Sequence, residues 1–182
     1  MPRGDSSPAQ VASCALELFA RHGVAGTSLQ MIADELGVTK AAVYYHYRTR
    51  DQIVQAVLAP AYDGFEQLLD HARRMPPRER ARAVVNGLAQ QAVAHRELYA
   101  VVLRDVTAAQ FLRETPQHLE VFRRLHDTLS GTAPSNGSRV AATIFLSGLM
   151  GPPSDPDIAT LDDDALEAAI AEAGRRLLDL GD

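Results

Sequence analysis

The sequence predicts an all-α fold: an N-terminal three-helix helix-turn-helix domain over residues 1–50, followed by a larger helical domain over residues 51–182. Three observations carry this reading. Alanine, leucine, arginine and glutamate dominate, and β-branched or aromatic runs are scarce, which favours helix over strand. Apolar residues recur at helical spacing along most of the chain. Between Pro8 and Tyr47, three short periodic segments are separated by Gly23 and Gly37 and by a Thr-x-x-Gln cap signal at Thr27.

The elements follow in order. From Pro8 to about Arg21, Val11, Ala15, Leu18 and Phe19 form one apolar face, and Gly23 in "HGVAG" is placed as a C-cap. Thr27 and Gln30 have capping-box spacing ahead of Met31, Ile32 and Leu36, and Gly37 closes this second helix. A third helix, from about Thr39 to Tyr47, turns Val43 and Tyr47 inward. Thr49 and Gln52 repeat the capping-box spacing and open a fourth helix over roughly 50–73, in which Pro60 predicts a kink or break near 56–60. A fifth spans about 77–94, with Val84/Val85, Leu88/Ala89 and Ala92/Val93 making a wide buried stripe. Residues 96–112 are helical but irregular, and Thr115-Pro116 opens the next helix, with Leu119, Phe122, Leu125 and Leu129 inward. "SGTAPSNG" and "GPPSDPD" are loops around the small-residue helix "SRVAATIFLSGLM". The last helix starts at about Asp162 with acids and ends near Arg175 and Arg176, as its dipole favours.

Composition narrows the function classes. The chain has 182 residues, 46% of them hydrophobic and 23% charged, which is globular rather than disordered. No apolar stretch approaches the ~18 residues that a membrane span needs. The N-terminus lacks a signal-type hydrophobic region, and the single cysteine, Cys14, has no partner for an internal disulfide, so a cytoplasmic setting is expected. No metal spacing, phosphate loop, nucleophile elbow or paired buried carboxylates occurs, so neither an enzyme nor a cofactor is expected. Net charge is −5, but residues 1–50 hold five Lys/Arg against four Asp/Glu, while the remainder holds 13 against 19. An anion site in the N-terminal part should therefore be small and local.

The window "GVTKAAVYYHYRTR" supplies such a site. It contains three of the five tyrosines and the chain's only lysine, Lys40. A helix-turn-helix inserts its second helix into the major groove with the first residues toward base edges. Thr39, Lys40, Ala41 and Ala42 suit that position: the alanines permit close approach, and the lysine reaches a guanine edge or a phosphate. Tyr44, Tyr45 and His46 offer donors to phosphates, Arg48 and Arg50 extend the cationic rim, and Thr27 and Ser28 begin the preceding helix, where amides and hydroxyls can hold another phosphate. The competing readings are an aromatic mini-core for the Tyr-Tyr-His-Tyr run, a solvated surface lysine, and pure capping for Thr27.

Residues 10–53 resemble the DNA-binding domain of TetR-family transcriptional regulators. The matching segments are "ALELFARHG", "TSLQMIADELGV" and "TKAAVYYHYRTRDQI", in order and without gaps. The resemblance implies an α-helical homodimer that binds a palindromic operator, usually represses, and is released when a small molecule occupies the C-terminal domain. It assigns Thr27 and Ser28 to phosphate contact, Thr39 to Ala42 to the reading face, and Tyr44, Tyr45 and His46 to the phosphates. Arg48 and Arg50 stand where the family commonly has lysines, and Ala42 where many members carry a larger or polar residue. A DNA-independent interaction module is the remaining alternative.

Beyond residue 55 the resemblance reduces to length and helical order. It implies an effector pocket, for which Tyr62, Phe65, Leu69, Leu88, Tyr99, Val102, Phe111, Phe122 and Ile144 are candidates, ordinary core being the competing reading for each. His95, His118 and His126 read as surface or polar-wall residues, and Arg104 and Arg113 greet an anionic ligand only if they point inward. Low aromatic content points to an aliphatic or mixed-polarity effector. For a dimer interface, Val140, Ala141, Ile144, Phe145 and Gly148 pair with the stripe Leu166, Ile170, Ala173 and Leu177 in an isologous four-helix contact.

Overall fold

The computed structural model describes residues 7–158 and 160–181, and among these residues all regular structure is helical. Ten α-helices follow one another: α1 (Pro8–Gly26), α2 (Leu29–Glu35), α3 (Lys40–His46), α4 (Arg50–Arg73), α5 (Pro77–Ala94), α6 (Arg96–Arg104), α7 (Val106–Glu114), α8 (Pro116–Ser130), α9 (Asn136–Gly148) and α10 (Asp163–Leu177). A single 3-10 turn, Pro152–Ser154, interrupts the loop before α10.

Capping chemistry sets many of the boundaries. Ser7 and Gln10 form a capping box at the start of α1, and Thr49 and Gln52 form the predicted one at α4. At α2 the cap is Ser28, whose hydroxyl accepts from the Met31 amide at 3.2 Å, rather than Thr27. Thr27 instead closes α1, its hydroxyl donating to the Gly23 carbonyl at 2.8 Å. Gly23 sits at φ +72°, so α1 is broken there and its last residues form a separate turn. α4 runs without a break through Pro60, which lies on the exposed side of the helix. The irregular stretch 96–112 is two helices, divided at Asp105, which is the N-cap of α7. Thr115-Pro116 opens α8 as predicted, though the threonine hydroxyl donates back to the Phe111 carbonyl rather than capping α8.

Helix α5 is the axis of the larger helical part. Val84, Val85, Leu88, Ala89 and Ala92 are wholly inaccessible, and α5 packs against α4, α8 and α10. Full burial of a valine or leucine contributes roughly 1.5–3 kcal/mol, so this stripe is a main source of stability. The three N-terminal helices have their own core of Val11, Ala15, Ile32 and Val43, continuous with Ile53 on α4. They attach to the rest along α1, which packs on α4 and α6. No helix of the described residues is long and apolar enough to cross a membrane.

Candidate functional site

The N-terminal helices hold α3 outward by a few defined contacts. Gly37, at φ +65°, makes the turn between α2 and α3 in a conformation that L side chains rarely adopt. Thr39 then caps α3, its oxygen accepting from the Ala42 amide at 3.1 Å. Val43 is fully buried, and Tyr47 is half-buried, with its hydroxyl donating to the Pro8 carbonyl at 3.0 Å. Burial pushes the Tyr47 hydroxyl above its ordinary pKa. Those two anchors leave the other side of α3 to solvent.

That side carries most of the residues named from sequence. Thr39, Lys40 and Ala41 are exposed and Ala42 is half-buried, so a cation and two methyl groups form a low outward surface at the helix start. Tyr44 is 51% and Tyr45 82% exposed, which excludes an aromatic mini-core for this pair. Tyr45 meets His46 edge-on at 5.3 Å, and His46 is half-buried. Arg48 and Arg50 are exposed beyond the end of α3. Lys40, Arg50 and Ser28 converge on a cleft of about 350 Å³ at the start of α2, floored by Phe19, Ile32 and Ile53. Arg50 there donates to the Thr27 carbonyl at 3.3 Å, fixing the guanidinium beside the α2 terminus. A cleft edged by two cations, a hydroxyl and helix-start amides suits a phosphate.

Thr27 lies at the back of this cleft, its side chain 3% exposed and its hydroxyl donating to the Gly23 carbonyl, so it shapes the turn rather than facing solvent. Ser28 is exposed, and a hydroxyl that accepts one amide still has a donor to offer. Arg3 and Asp5, part of the N-terminal charge balance, lie outside the described residues.

No pattern in the sequence signals the link between the N-terminal helices and the larger part. Asp105, at the α6–α7 corner, accepts the Val24 amide on one oxygen at 2.7 Å and the Ala108 amide on the other at 2.9 Å. One carboxylate therefore ties the broken end of α1 to the start of α7. A Cβ on Gly23 would lie 3.0 Å from the same carboxylate, crowding the contact, and at φ +72° any side chain there would be strained.

The residues named for an effector pocket are mostly close-packed. Phe65, Leu69, Leu88, Tyr99 and Val102 are buried and Tyr62, Phe111 and Phe122 half-buried, whereas Ile144 is 54% exposed on α9 and lines no interior wall. An open cleft of about 590 Å³ does exist, between α1, α4 and the α5–α6 corner, but it is lined by residues such as Leu16, Tyr47, Pro60 and Leu98 rather than by the named set. Among the histidines, His118 is buried rather than at the surface, while His126 meets the Arg139 carbonyl and Thr143 between α8 and α9. The interface residues also divide. Val140, Ile144, Gly148, Ala173 and Leu177 are exposed and Ala141 is half-buried. Phe145, Leu166 and Ile170 turn into the chain's own core, so those three are corrected to core residues. The 4-3-4 spacing on α10 marks the stripe against α5, which sequence periodicity cannot distinguish from a stripe against another chain.

Comparison with known proteins agrees with this geometry. Residues 13–57 match the family described as bacterial regulatory proteins, tetR family. The HTH-type transcriptional repressor KstR2 of Mycolicibacterium smegmatis is 28% identical over 124 residues, which cover 64% of this chain and 58% of that protein. The HTH-type transcriptional regulator TtgR of Pseudomonas putida is 38% identical over 66 residues, or 36% of this chain and 30% of that one. The matches thus span less than two thirds of these curated relatives. In overall fold the chain is similar to a Rhodococcus RHA1 regulatory protein of the tetR family (TM-score 0.73, 19% identity, 95% of this chain and 97% of that one). It is also similar to an Aquifex aeolicus TerR/AcrR-family transcriptional regulator (TM-score 0.72, 15% identity, 94% and 99%).

Proposed function

We propose that this chain, whose residues 13–57 match the tetR family of bacterial regulatory proteins, is a homodimeric DNA-binding repressor, released from a palindromic operator by a small molecule held in its helical C-terminal part. The observation that carries the DNA-binding half is the outward side of α3, where Lys40 stands between Thr39 and two alanines with Tyr44, Tyr45, Arg48 and Arg50 around it. Short side chains admit the helix to the groove, the lysine reads an edge, and the surrounding hydroxyls and guanidinium groups fix the register on the phosphates.

The second copy would pack along the exposed α9 face Val140, Ile144, Gly148 together with Ala173 and Leu177 of α10. The 140, 144 and 148 positions lie four apart and so share one face, and the glycine lets a partner helix approach closely. An isologous contact of this kind sets two reading heads in two-fold relation, matching a palindrome. Release would pass through the α6–α7 corner, because Asp105 joins that corner to the end of α1.

The test is a mobility-shift series on the DNA flanking the gene. Lys40→Ala should weaken binding and change base preference, whereas Arg48→Ala should weaken all sequences alike and reduce the salt slope by about one unit. Equal losses on every sequence for both variants contradict this division of roles.

A further inference from the structure

The basic charge of the larger helical part is concentrated at one turn. Of the 13 Lys/Arg in residues 51–182, five lie within ten residues, Arg73, Arg74, Arg78, Arg80 and Arg82, around Met75-Pro76-Pro77. With Asp70 and Glu79 as the neighbouring acids, residues 70–82 carry a net of +3, while the rest of residues 51–182 holds eight Lys/Arg against 17 Asp/Glu. The position of the turn is equally defined. α4 leaves the α3 end of the molecule at Arg50 and reaches the turn 24 residues later, about 36 Å away at the helical rise. α5 then returns, bringing Val93 and Ala94 to the cleft that Tyr47 lines.

Helix chemistry explains part of this cluster. Arg73 and Arg74 stand at the C-terminus of α4, where the dipole favours cations. Arg80 staples the turn, its Nε donating to the Met75 carbonyl at 3.0 Å and an Nη to the Arg73 carbonyl at 3.3 Å. Arg82 donates to the Leu180 carbonyl at 3.1 Å and holds the segment after α10. Arg78 has no such account. It is the second residue of α5, where the dipole opposes a cation, and its side chain is 87% exposed beside Glu79 at 3.5 Å. Arg73 meets Asp70 at 3.7 Å, and exposed pairs of this kind hold weakly enough to exchange for another anion. The stapled turn thus presents Arg73, Arg74 and Arg78, all exposed, from a fixed backbone.

We propose that the α4–α5 turn is a second, sequence-independent contact for duplex DNA, at the far end of the molecule from α3, through which one dimer holds two DNA segments. The bridging rests on the DNA-binding and dimeric reading above; the contact itself does not. Guanidinium forks match phosphate oxygens. A chain of net charge −5 repels any polyanion at long range, but a duplex, with one charge per about 1.7 Å, repays a local contact by releasing condensed counterions, as an acidic peptide does not. A bilayer fits less well, because among the described residues no exposed large apolar side chain lies between 70 and 82 to enter it. An isologous dimer would carry two such turns on the end opposite its two α3 helices.

The test uses the full chain bound to an immobilised operator duplex, with a second, labelled duplex that lacks the operator sequence. With α3 occupied, the chain should capture the labelled duplex, and its affinity should fall about 40-fold between about 50 and 200 mM salt, the loss expected for three phosphates. The triple variant Arg73→Gln, Arg74→Gln, Arg78→Gln should keep the operator footprint and the helical spectrum and lose at least about tenfold in capture. The corresponding triple lysine variant keeps the charges and should retain most of it. No capture at low salt, equal capture by the glutamine variant, or capture indifferent to salt overturns the proposal. So does tighter binding of polyglutamate, or of phosphatidylcholine–phosphatidylserine vesicles, than of the duplex, which would assign the turn to an acidic protein segment or a lipid surface. Failures are separable. If the flanking DNA holds no operator, the reading of α3 falls, and duplex binding by Lys40→Ala, measured by anisotropy with and without the three glutamines, still decides the turn: a loss with the glutamines supports it, and no difference overturns it.

Discussion

Asp105→Ala removes two interactions that no other group replaces. The carboxylate accepts the Val24 amide at 2.7 Å across the two parts of the chain and the Ala108 amide at 2.9 Å as the cap of α7. A hydrogen bond to a charged group contributes roughly 1.5–3 kcal/mol, and loss of an aspartate cap typically costs about 1 kcal/mol. Alanine should thus cost about 3 kcal/mol, with the larger share from the Val24 amide, which is left partly buried and unpaired. For a chain of this size that lowers the melting temperature by about 6–12 °C. Asp105→Asn keeps one acceptor oxygen and should lose about half as much. The assay is thermal unfolding at fixed protein concentration, so that dimer dissociation does not shift the comparison. Amide hydrogen exchange at Val24 supplies the local readout, with faster exchange expected in the alanine variant. A melting temperature within about 1 °C of the parent, together with unchanged protection at Val24, would refute the bridge.

Other perturbations test separate contacts. Gly174→Ala places a Cβ 2.6 Å from Phe145 Cε2 and 2.8 Å from Val85 Cγ1, so overpacking should outweigh the gain in helix propensity by about 1–2 kcal/mol in urea unfolding; a stabilised variant would show that α9, α10 and α5 are not packed as described. Ile144→Glu puts a charge on the exposed α9 face and should give a monomer by sedimentation with an unchanged helical spectrum, and a persisting dimer would move the interface elsewhere. Burial holds the His118 imidazole below its ordinary value of 6.5. Below that value the unfolded chain takes up a proton that the folded chain resists, so stability should fall as pH drops from about 7 toward 5 and be flat in this group above 7. His118→Phe should remove part of that fall; an identical pH profile in the variant would contradict it.

Much of the architecture was legible because it depends on local chemistry. The capping pair Thr49/Gln52, the Thr115-Pro116 start, the Asp162 cap and the bounds of α5 are written in consecutive residues. So was the outward side of α3, since Val43 and Tyr47 on one face of the helix leave the other to solvent. What stayed hidden depends on partners distant in sequence. Thr27 and Ser28 both fit a cap, and only the break at Gly23 decides that Thr27 turns inward. Leu166 and Ile170 form the same stripe whether they face α5 or a second chain. Asp105 meets Val24 across 81 positions, and no pattern around either residue announces the other.

The most direct measurement is hydroxyl-radical footprinting of the DNA flanking the gene at low salt. A dimeric repressor should protect a palindrome with two half-sites on one face of the duplex, occupied by two chains, and lose both protections together in Lys40→Ala. Protection of a single half-site by one chain would contradict the dimeric reading head. No protected sequence at any concentration would contradict DNA recognition by α3.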